Sequence, residues 1–166
     1  MTLERDAGRR KQAGRRPGDP AFRRAPGRAK AHPAVGLLGF HLADPVEIIR
    51  RVEEGFSFRA LERFQENTRI PTDDLAEVVA IKPRTLHRRR KEGRLEPDES
   101  DRLLRVARVF AKALDLFEGD GEAAKRWFYT PARALGGEPP IAFARTDLGT
   151  QEVEALIDRL EQGVLT

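Results

Sequence analysis

The sequence contains no cysteine, so disulfide bonds and thiolate metal sites are excluded, which suits a reducing compartment. Its three histidines, His32, His41 and His87, are scattered without the paired spacing of a zinc site. No apolar run approaches the roughly 18 residues that a membrane span requires. We therefore expect a cytoplasmic protein that has no metal, no cofactor and no membrane partner.

Catalytic signatures are also missing from the chain. Gly136 and Gly137 are not followed by the Lys-Ser or Lys-Thr pair of a phosphate-binding loop. No serine has a plausible base near it in a motif, and the acidic residues are spread as expected for solvated helix surfaces. We therefore predict that the protein is not an enzyme.

The positive charge is concentrated at the amino end. Residues 1–32 carry ten Lys or Arg against three Asp or Glu, whereas residues 33–166 carry 21 against 24. The amino-terminal segment is rich in Arg, Gly, Pro and Ala and lacks the apolar core of a signal peptide, so we expect a disordered basic arm over residues 1–34. Such an arm either attracts DNA through counterion release or is an extension without function, and the sequence leaves both open.

A short segment, PRTLHRRRKEGRL in residues 83–95, has its charges at helical spacing. At about 100° per residue, Arg84, Arg88 and Lys91 lie on the side of a helix opposite Leu86. Arginine offers a planar fork of donors that fits phosphate oxygens and the acceptor edge of guanine. A solvated basic helix is the alternative. The candidate DNA-binding residues are Lys82, Arg84, Thr85, Arg88, Arg89 and Lys91, with His87 beside them.

A second helix is predicted just upstream, over residues 72–80. Thr72 is a suitable N-cap, and apolar side chains recur from Leu75 at the spacing of one buried face. The basic helix, over residues 83–92, opens with a proline and is followed by a glycine, both of which are favoured at those positions. Two short helices joined by a tight turn, with the second basic on its outer side, predict a helix-turn-helix within residues 35–96.

Residues 97–166 predict a second helical domain. A long helix is predicted over about 98–117, where successive apolar side chains are alternately four and three residues apart. They form a continuous apolar seam along one side of the helix, which packs on the preceding domain or pairs with a second copy. The fold class is therefore all-α, a helix-turn-helix domain followed by a small helical domain. The later elements, in chain order, are a helix over about 120–129, a turn-rich connection to Pro140, a short helix over about 141–145, and a helix capped by Asp147 or Thr150 that ends at Gly163.

Residues 40–165 carry an ordered series of motifs that resembles the antitoxins of the Xre/MbcA/ParS-like group, which are partners of RES-domain toxins in bacterial type II toxin–antitoxin systems. The series combines helix-turn-helix positions with a tryptophan, a Gly-Gly turn, several prolines and a glycine-ended final helix. Its members are Arg84-Thr85-Leu86, Arg88-Arg89, Gly93, Leu95, Pro97, residues 99–103, Arg105, Ala123-Ala124, Trp127, Pro131, Leu135-Gly136-Gly137, Pro139-Pro140, Thr146, Gly149, Val153, Leu160 and Gly163.

The resemblance implies two roles. The helix-turn-helix binds operator DNA of its own operon as a dimer, and the second domain neutralises a cognate RES toxin that attacks NAD or transfers ADP-ribose, in a homodimer or a higher hetero-oligomer with the toxin. Trp127, Pro131, Gly136 and Gly137 are expected to form the scaffold of the second domain. The expected toxin-binding residues are Leu160, Gly163, Val164, Leu165 and Thr166.

Two other functions stay open at the level of sequence. A stand-alone helix-turn-helix regulator would use the second domain to dimerise or to sense a ligand, and an operon without a toxin-like neighbour would favour it. A structural or DNA-partitioning protein would use the basic arm for non-specific binding, and it would show weak sequence discrimination with a steep salt dependence.

Overall fold

The computed structural model describes residues 32–163, and these residues are helical with no strand among them, which confirms the predicted all-α class. Nine α-helices and one 3₁₀ turn follow in chain order over this part of the chain. They are α1 (Pro33–Leu37), α2 (Pro45–Glu54), α3 (Phe58–Thr68), α4 (Thr72–Val78), α5 (Pro83–Glu92), α6 (Pro97–Leu116), α7 (Gly121–Tyr129), the 3₁₀ turn Arg133–Leu135, α8 (Pro140–Phe143) and α9 (Asp147–Glu161).

The long helix α6 is the centre of the fold. It packs against α1 and α2, which precede it in the chain, and against α7 and α9, which follow it. Leu103, Ala107 and Phe110 from its predicted apolar seam are buried, because the seam packs against elements of both halves. The helix begins with a capping box, in which the side chains of Glu96 and Glu99 each accept a hydrogen bond from the other residue's backbone N–H.

Three aromatic rings join the two halves across α6. Phe64 of α3 meets Phe110 edge-on at 6.1 Å between ring centroids, and Phe110 meets Phe128 of α7 in the same way at 5.7 Å. Each such pair contributes about 0.5–1.5 kcal/mol beyond the area that it buries. One apolar cluster therefore runs from Ala34 to Ile157, across the domain boundary at residue 97 that the sequence predicts.

The body of the protein begins earlier than the sequence indicates. Helix α1 starts at Pro33, inside the segment that we assigned to the basic arm, and the side chains of Ala34 and Val35 are fully buried. This helix starts two residues before the expected domain boundary, because a helix of only five residues gives too little periodicity to recognise, and the boundary itself stays a prediction. The rest of the predicted arm, residues 1–31, lies outside the described residues, as do residues 164–166.

Two helix starts and one helix end differ from their predictions. Pro71, not Thr72, is the N-cap of α4, and the Thr72 hydroxyl instead accepts a hydrogen bond from Gln65. The start of α9 is capped by Thr146, whose hydroxyl accepts from the Gly149 N–H at 3.0 Å. Helix α4 ends at Val78 rather than at residue 80, because the backbone of Ala80 turns left-handed with φ 54°.

Among the described residues, no helix is both long enough and apolar enough to cross a lipid bilayer. The same residues contain no group of three or more carboxylate or histidine side chains arranged to hold a metal ion.

Candidate functional site

Helices α4 and α5 form the predicted helix-turn-helix. Between them the Ile81 N–H donates to the carbonyl of Ala76 at 2.8 Å, and Ile81 and Val79 bury their side chains under the turn. Helix α5 then spans residues 83–92 as predicted and ends where Gly93 adopts φ 74°, a left-handed conformation that glycine accepts without strain.

The outer side of α5 carries the predicted basic face. Arg84, Arg88 and Lys91 are exposed there, and Leu86 on the opposite side is half-buried against the core. Lys82 is exposed at the N-cap position, one residue before the helix. The side chains that line one open depression on this face are Arg84, Thr85, His87, Arg88 and Lys91. Their contact with DNA stays a prediction.

Arg89 does not belong to the basic face, and its assignment as a DNA-binding residue is corrected. Its side chain is only 10% exposed and lies beneath α5, where Nε donates to the two carboxylate oxygens of Glu99 at 2.8 and 3.1 Å. Nη1 lies 2.9 Å from a carboxylate oxygen of Glu92 and 3.0 Å from one of Glu96. The hydrogen bond that the guanidinium donates to Glu99 raises its pKa against the opposing effect of burial, and the hydrogen bond to Glu92 and the nearby negative charges act in the same direction as the first.

Arg90, the last of the three consecutive arginines at positions 88–90, faces helix α3. Its guanidinium lies 5.3 Å from the centroid of the Phe58 ring and 3.7 Å from the carboxylate of Glu62, both on α3. Because the helix turns by about 100° at each residue, three consecutive arginines face solvent, the interior and a neighbouring helix.

Helix α4 is held by two residues of the carboxy-terminal half that sequence analysis missed. The Tyr129 hydroxyl donates to the carboxylate of Asp74 at 2.6 Å, and Arg145 pairs with Glu77 at 2.7 Å. Burial raises the pKa of Tyr129 well above its ordinary value, and the hydrogen bond to Asp74 and its charge act in the same direction. No local pattern signals these pairs, because their partners are more than 50 residues apart in sequence.

The predicted scaffold residues lie in α7 and in the turn-rich segment that follows it. Trp127 is half-buried with its ring centroid 6.3 Å from that of Phe117, and Pro131 follows Thr130, the C-cap of α7. Gly136 and Gly137 have φ of 69° and 87°, which explains why this turn uses glycine twice. Their role as the scaffold of the second domain stays a prediction.

The predicted toxin-binding residues belong to the last helix and the segment after it. Helix α9 is fixed on α6 by ion pairs between Arg108 and Glu154 at 2.9 Å and between Lys112 and Asp158 at 2.7 Å. Leu160 is half-buried against the core, and Gly163 is exposed with φ 70°. The other three residues of the set, Val164, Leu165 and Thr166, lie outside the described residues.

Two family models match the chain in succession. Residues 47–108 match a model described as the antitoxin Xre-like helix-turn-helix domain. Residues 112–163 match one described as the antitoxin Xre/MbcA/ParS C-terminal toxin-binding domain. The two matched segments meet inside α6, whereas the sequence places the boundary at residue 97, and that finer division stays a prediction.

Similar curated proteins carry the name Antitoxin Xre. One from Yersinia enterocolitica is 37% identical over 130 residues, which cover 78% of this chain and 88% of the relative. One from Photorhabdus laumondii is 29% identical over 84% of this chain and 95% of its own length. One from Pseudomonas putida is 32% identical over 74% of this chain and 76% of its own length.

Proposed function

Since this chain belongs to the Xre family of antitoxins, we propose that it neutralises a cognate RES-domain toxin and represses its own operon. Membership of this family makes the protein a type II antitoxin that works by binding rather than an enzyme. The single observation that carries the proposal is the succession of a helix-turn-helix domain and a toxin-binding domain in one chain.

The proposal for DNA rests on the outer face of α5. Arg84, Arg88 and Lys91 present positive charge along one side of a short helix, and a helix of this kind fits the major groove. Arginine forks read guanine edges, and the lysine neutralises phosphate charge. Repression follows if the site that they read overlaps the promoter of the protein's own operon.

The proposal for the toxin rests on the carboxy-terminal end. Helix α9 packs on α6 and buries Val153, Leu156 and Ile157, so the chain has a defined position on the body up to Gly163. We place the toxin contact at Leu160, Gly163, Val164, Leu165 and Thr166, where the end of the antitoxin would cover the entrance to the toxin's NAD site. Both proposed partners, a toxin and operator DNA, locate the work of the protein in the cytoplasm.

The proposal for self-association rests on α2. Val46 and Ile49 are one helical turn apart and are 63% and 57% exposed, and with Leu148 they are the exposed large apolar side chains among the described residues. A second copy that covers this face would bury both side chains. We propose a homodimer, and a higher hetero-oligomer once toxin is bound.

Co-expression with the neighbouring reading frame tests the toxin proposal. Induction of the neighbour alone should stop growth and deplete NAD, and co-expression of this chain should restore both and allow the two proteins to co-purify. A truncation at residue 162 should lose rescue while keeping the fold, as judged by circular dichroism. A neighbour that is harmless, or toxicity that this chain does not relieve, would rule the proposal out.

A further inference from the structure

We infer that Arg89 is a positioning residue of the DNA-binding helix, which sets the rotation of α5 from beneath and, through Glu92, the direction of Arg88. The inference rests on the proposed DNA-binding function of α5. It assigns a role in that function to a side chain that does not lie on the basic face.

Two of the three guanidinium nitrogens of Arg89 contact carboxylates. Nε is shared between the two oxygens of Glu99, while Nη1 lies between Glu92 and Glu96 at 2.9 and 3.0 Å. Ionised donors and acceptors at these distances form short and directional hydrogen bonds, and the planar guanidinium fixes their angles. The side chain therefore defines one orientation of α5 about its own axis.

The main partner of Arg89 is itself fixed. Glu99 is only 7% exposed on its side chain and is the third residue of α6. One of its oxygens also accepts the backbone N–H of Glu96 at 2.8 Å, which is half of the capping box of α6. Arg89 thus ties the DNA-binding helix to the start of the longest helix in the fold, not to a mobile surface group.

Glu92 connects this buried contact to the basic face. One of its carboxylate oxygens meets Arg89 at 2.9 Å, and the other lies 3.7 Å from Nε of Arg88. Glu92 is half-exposed, and so is Arg88, so the contact between them is weak enough to yield to a guanine or a phosphate. Before DNA arrives, the pair favours a conformation in which the Arg88 side chain points toward Glu92.

Apolar side chains would hold α5 in place without the free-energy cost of removing charges from water. A buried ion pair loses much of its attraction to the cost of removing both charges from water, so it adds little net stability compared with apolar side chains of similar volume. What it does supply is a fixed geometry, which apolar side chains specify less tightly. We therefore expect the cluster to serve the orientation of α5, and a test of this role has to keep the charge at position 89, because removing one partner of a buried pair destabilises the fold.

The test compares Arg89→Lys with Arg90→Lys in the full chain. Both variants keep the charge and lose the planar fork, but Arg90 lies on the α3 side of the helix, outside the Glu99 cluster. Affinity is measured for a duplex from the chain's own promoter and for a random duplex of equal length. Arg89→Lys should lower the ratio of the two affinities about tenfold by misplacing Arg88, with the random duplex and toxin neutralisation unchanged. Arg90→Lys should leave the ratio within about twofold of the wild type.

Glu92→Gln provides a second variant in case Arg89→Lys does not fold. It removes only a half-exposed carboxylate at the end of α5, so the fold should persist. Loss of one negative charge should raise affinity for the random duplex while the ratio falls. An unchanged ratio in whichever of the two variants folds would overturn the positioning role. A wild-type chain without preference for its own promoter would instead overturn the proposed DNA-binding function.

Discussion

At the scale of single residues, side chains of one type have different surroundings within one turn of helix. Arg84 and Arg88 are exposed on the outer face of α5, while Arg89 is surrounded by carboxylates below it. Only the exposed arginines are close enough to the surface to reach base edges in a groove. The free energy of specific DNA binding should therefore depend on the exposed arginines directly.

We predict that Arg84→Ala or Arg88→Ala weakens binding to the operator by about 1–3 kcal/mol where the fork reads a base. The measurement is a titration of the promoter duplex against a random duplex. Arg63→Ala is the control, because Arg63 is an exposed arginine of α3 whose partner, Glu66, is on the same helix. Equal losses on both duplexes would mean that the substituted residue contacts phosphate and reads no base.

We predict that the stability of the protein falls as pH rises above about 10, because Tyr129 resists ionisation in the folded state. Its pKa is raised in the native protein, so the native state binds this proton more tightly than the unfolded state does. The stability that this contributes is complete below the unfolded pKa and is lost as pH rises through the higher folded pKa. Tyr129 is the only tyrosine of the chain, so absorbance of tyrosinate reports it alone.

The alkaline titration should have a higher midpoint in buffer than in urea. Tyr129→Phe should cost about 1–3 kcal/mol at neutral pH, since Asp74 loses a hydrogen bond, and should flatten the alkaline part of the stability profile. A native midpoint equal to the urea value would contradict the contact with Asp74.

The residue scale is also where the sequence could predict least. The spacing placed Arg84, Arg88 and Lys91 correctly on the outside, because one periodic pattern decides exposure along a helix. It could not place Arg89 inside, since burial of a cation requires carboxylates from another element. The Glu96–Glu99 spacing before α6 is a capping-box pattern that offered a partial signal.

At the scale of elements, the start of α9 approaches the end of α8 so closely at Gly149 that no side chain fits between them. A Cβ atom on Gly149 would lie 2.1 Å from the carbonyl oxygen of Phe143 and 2.8 Å from the Thr146 hydroxyl. Neither the backbone oxygen nor the capping hydroxyl can move away without breaking the start of α9. Glycine is therefore required at this position because the Phe143 carbonyl lies too close for a Cβ atom, and not because the backbone has a positive φ.

We predict that Gly149→Ala destabilises the protein by about 1–3 kcal/mol and displaces the first turn of α9. Because α9 carries the proposed toxin contact, neutralisation should fall more than binding to the promoter duplex. Gly121→Ala is the matched control, since a Cβ at the start of α7 meets nothing within 4 Å and no positive φ is needed. Comparable losses in the two variants would contradict the packing account.

Elements with strong local signals were predicted well, and the others were not. Helix α5 opens with a proline and is followed by a glycine, and its predicted bounds agree with the structure. Helix α1 was missed, because its stability comes from α6, with which it packs, and not from its own sequence. The N-cap of α9 was predicted at Asp147 or Thr150, whereas the structure has Thr146 there. Several side chains in that segment carry a hydroxyl or a carboxylate that can cap a helix, so the sequence does not single out one of them.

At the scale of the whole molecule, one core supports two proposed surfaces. The aromatic contacts across α6 and the pair of Tyr129 with Asp74 attach the carboxy-terminal half to the helix-turn-helix. The basic face of α5 and the end of α9 are separate parts of the same body. We therefore expect the two surfaces to be separable by mutation.

We predict that deletion of residues 1–31 reduces the salt dependence of DNA binding and leaves toxin neutralisation intact. The deletion removes ten basic and three acidic side chains, and fewer phosphate contacts release fewer counterions. The slope of log affinity against log salt concentration, measured on the random duplex, checks the first part. Loss of growth rescue by the shortened chain would show that these residues belong to the toxin interface.

Hydrogen–deuterium exchange on the full chain tests the division into two surfaces most directly. The chain is measured alone, with the toxin encoded beside it, and with its promoter duplex. Toxin should slow exchange within residues 147–163 and leave residues 83–92 unchanged, whereas the duplex should do the reverse. Protection of residues 83–92 by toxin, with none in residues 112–163, would contradict the account.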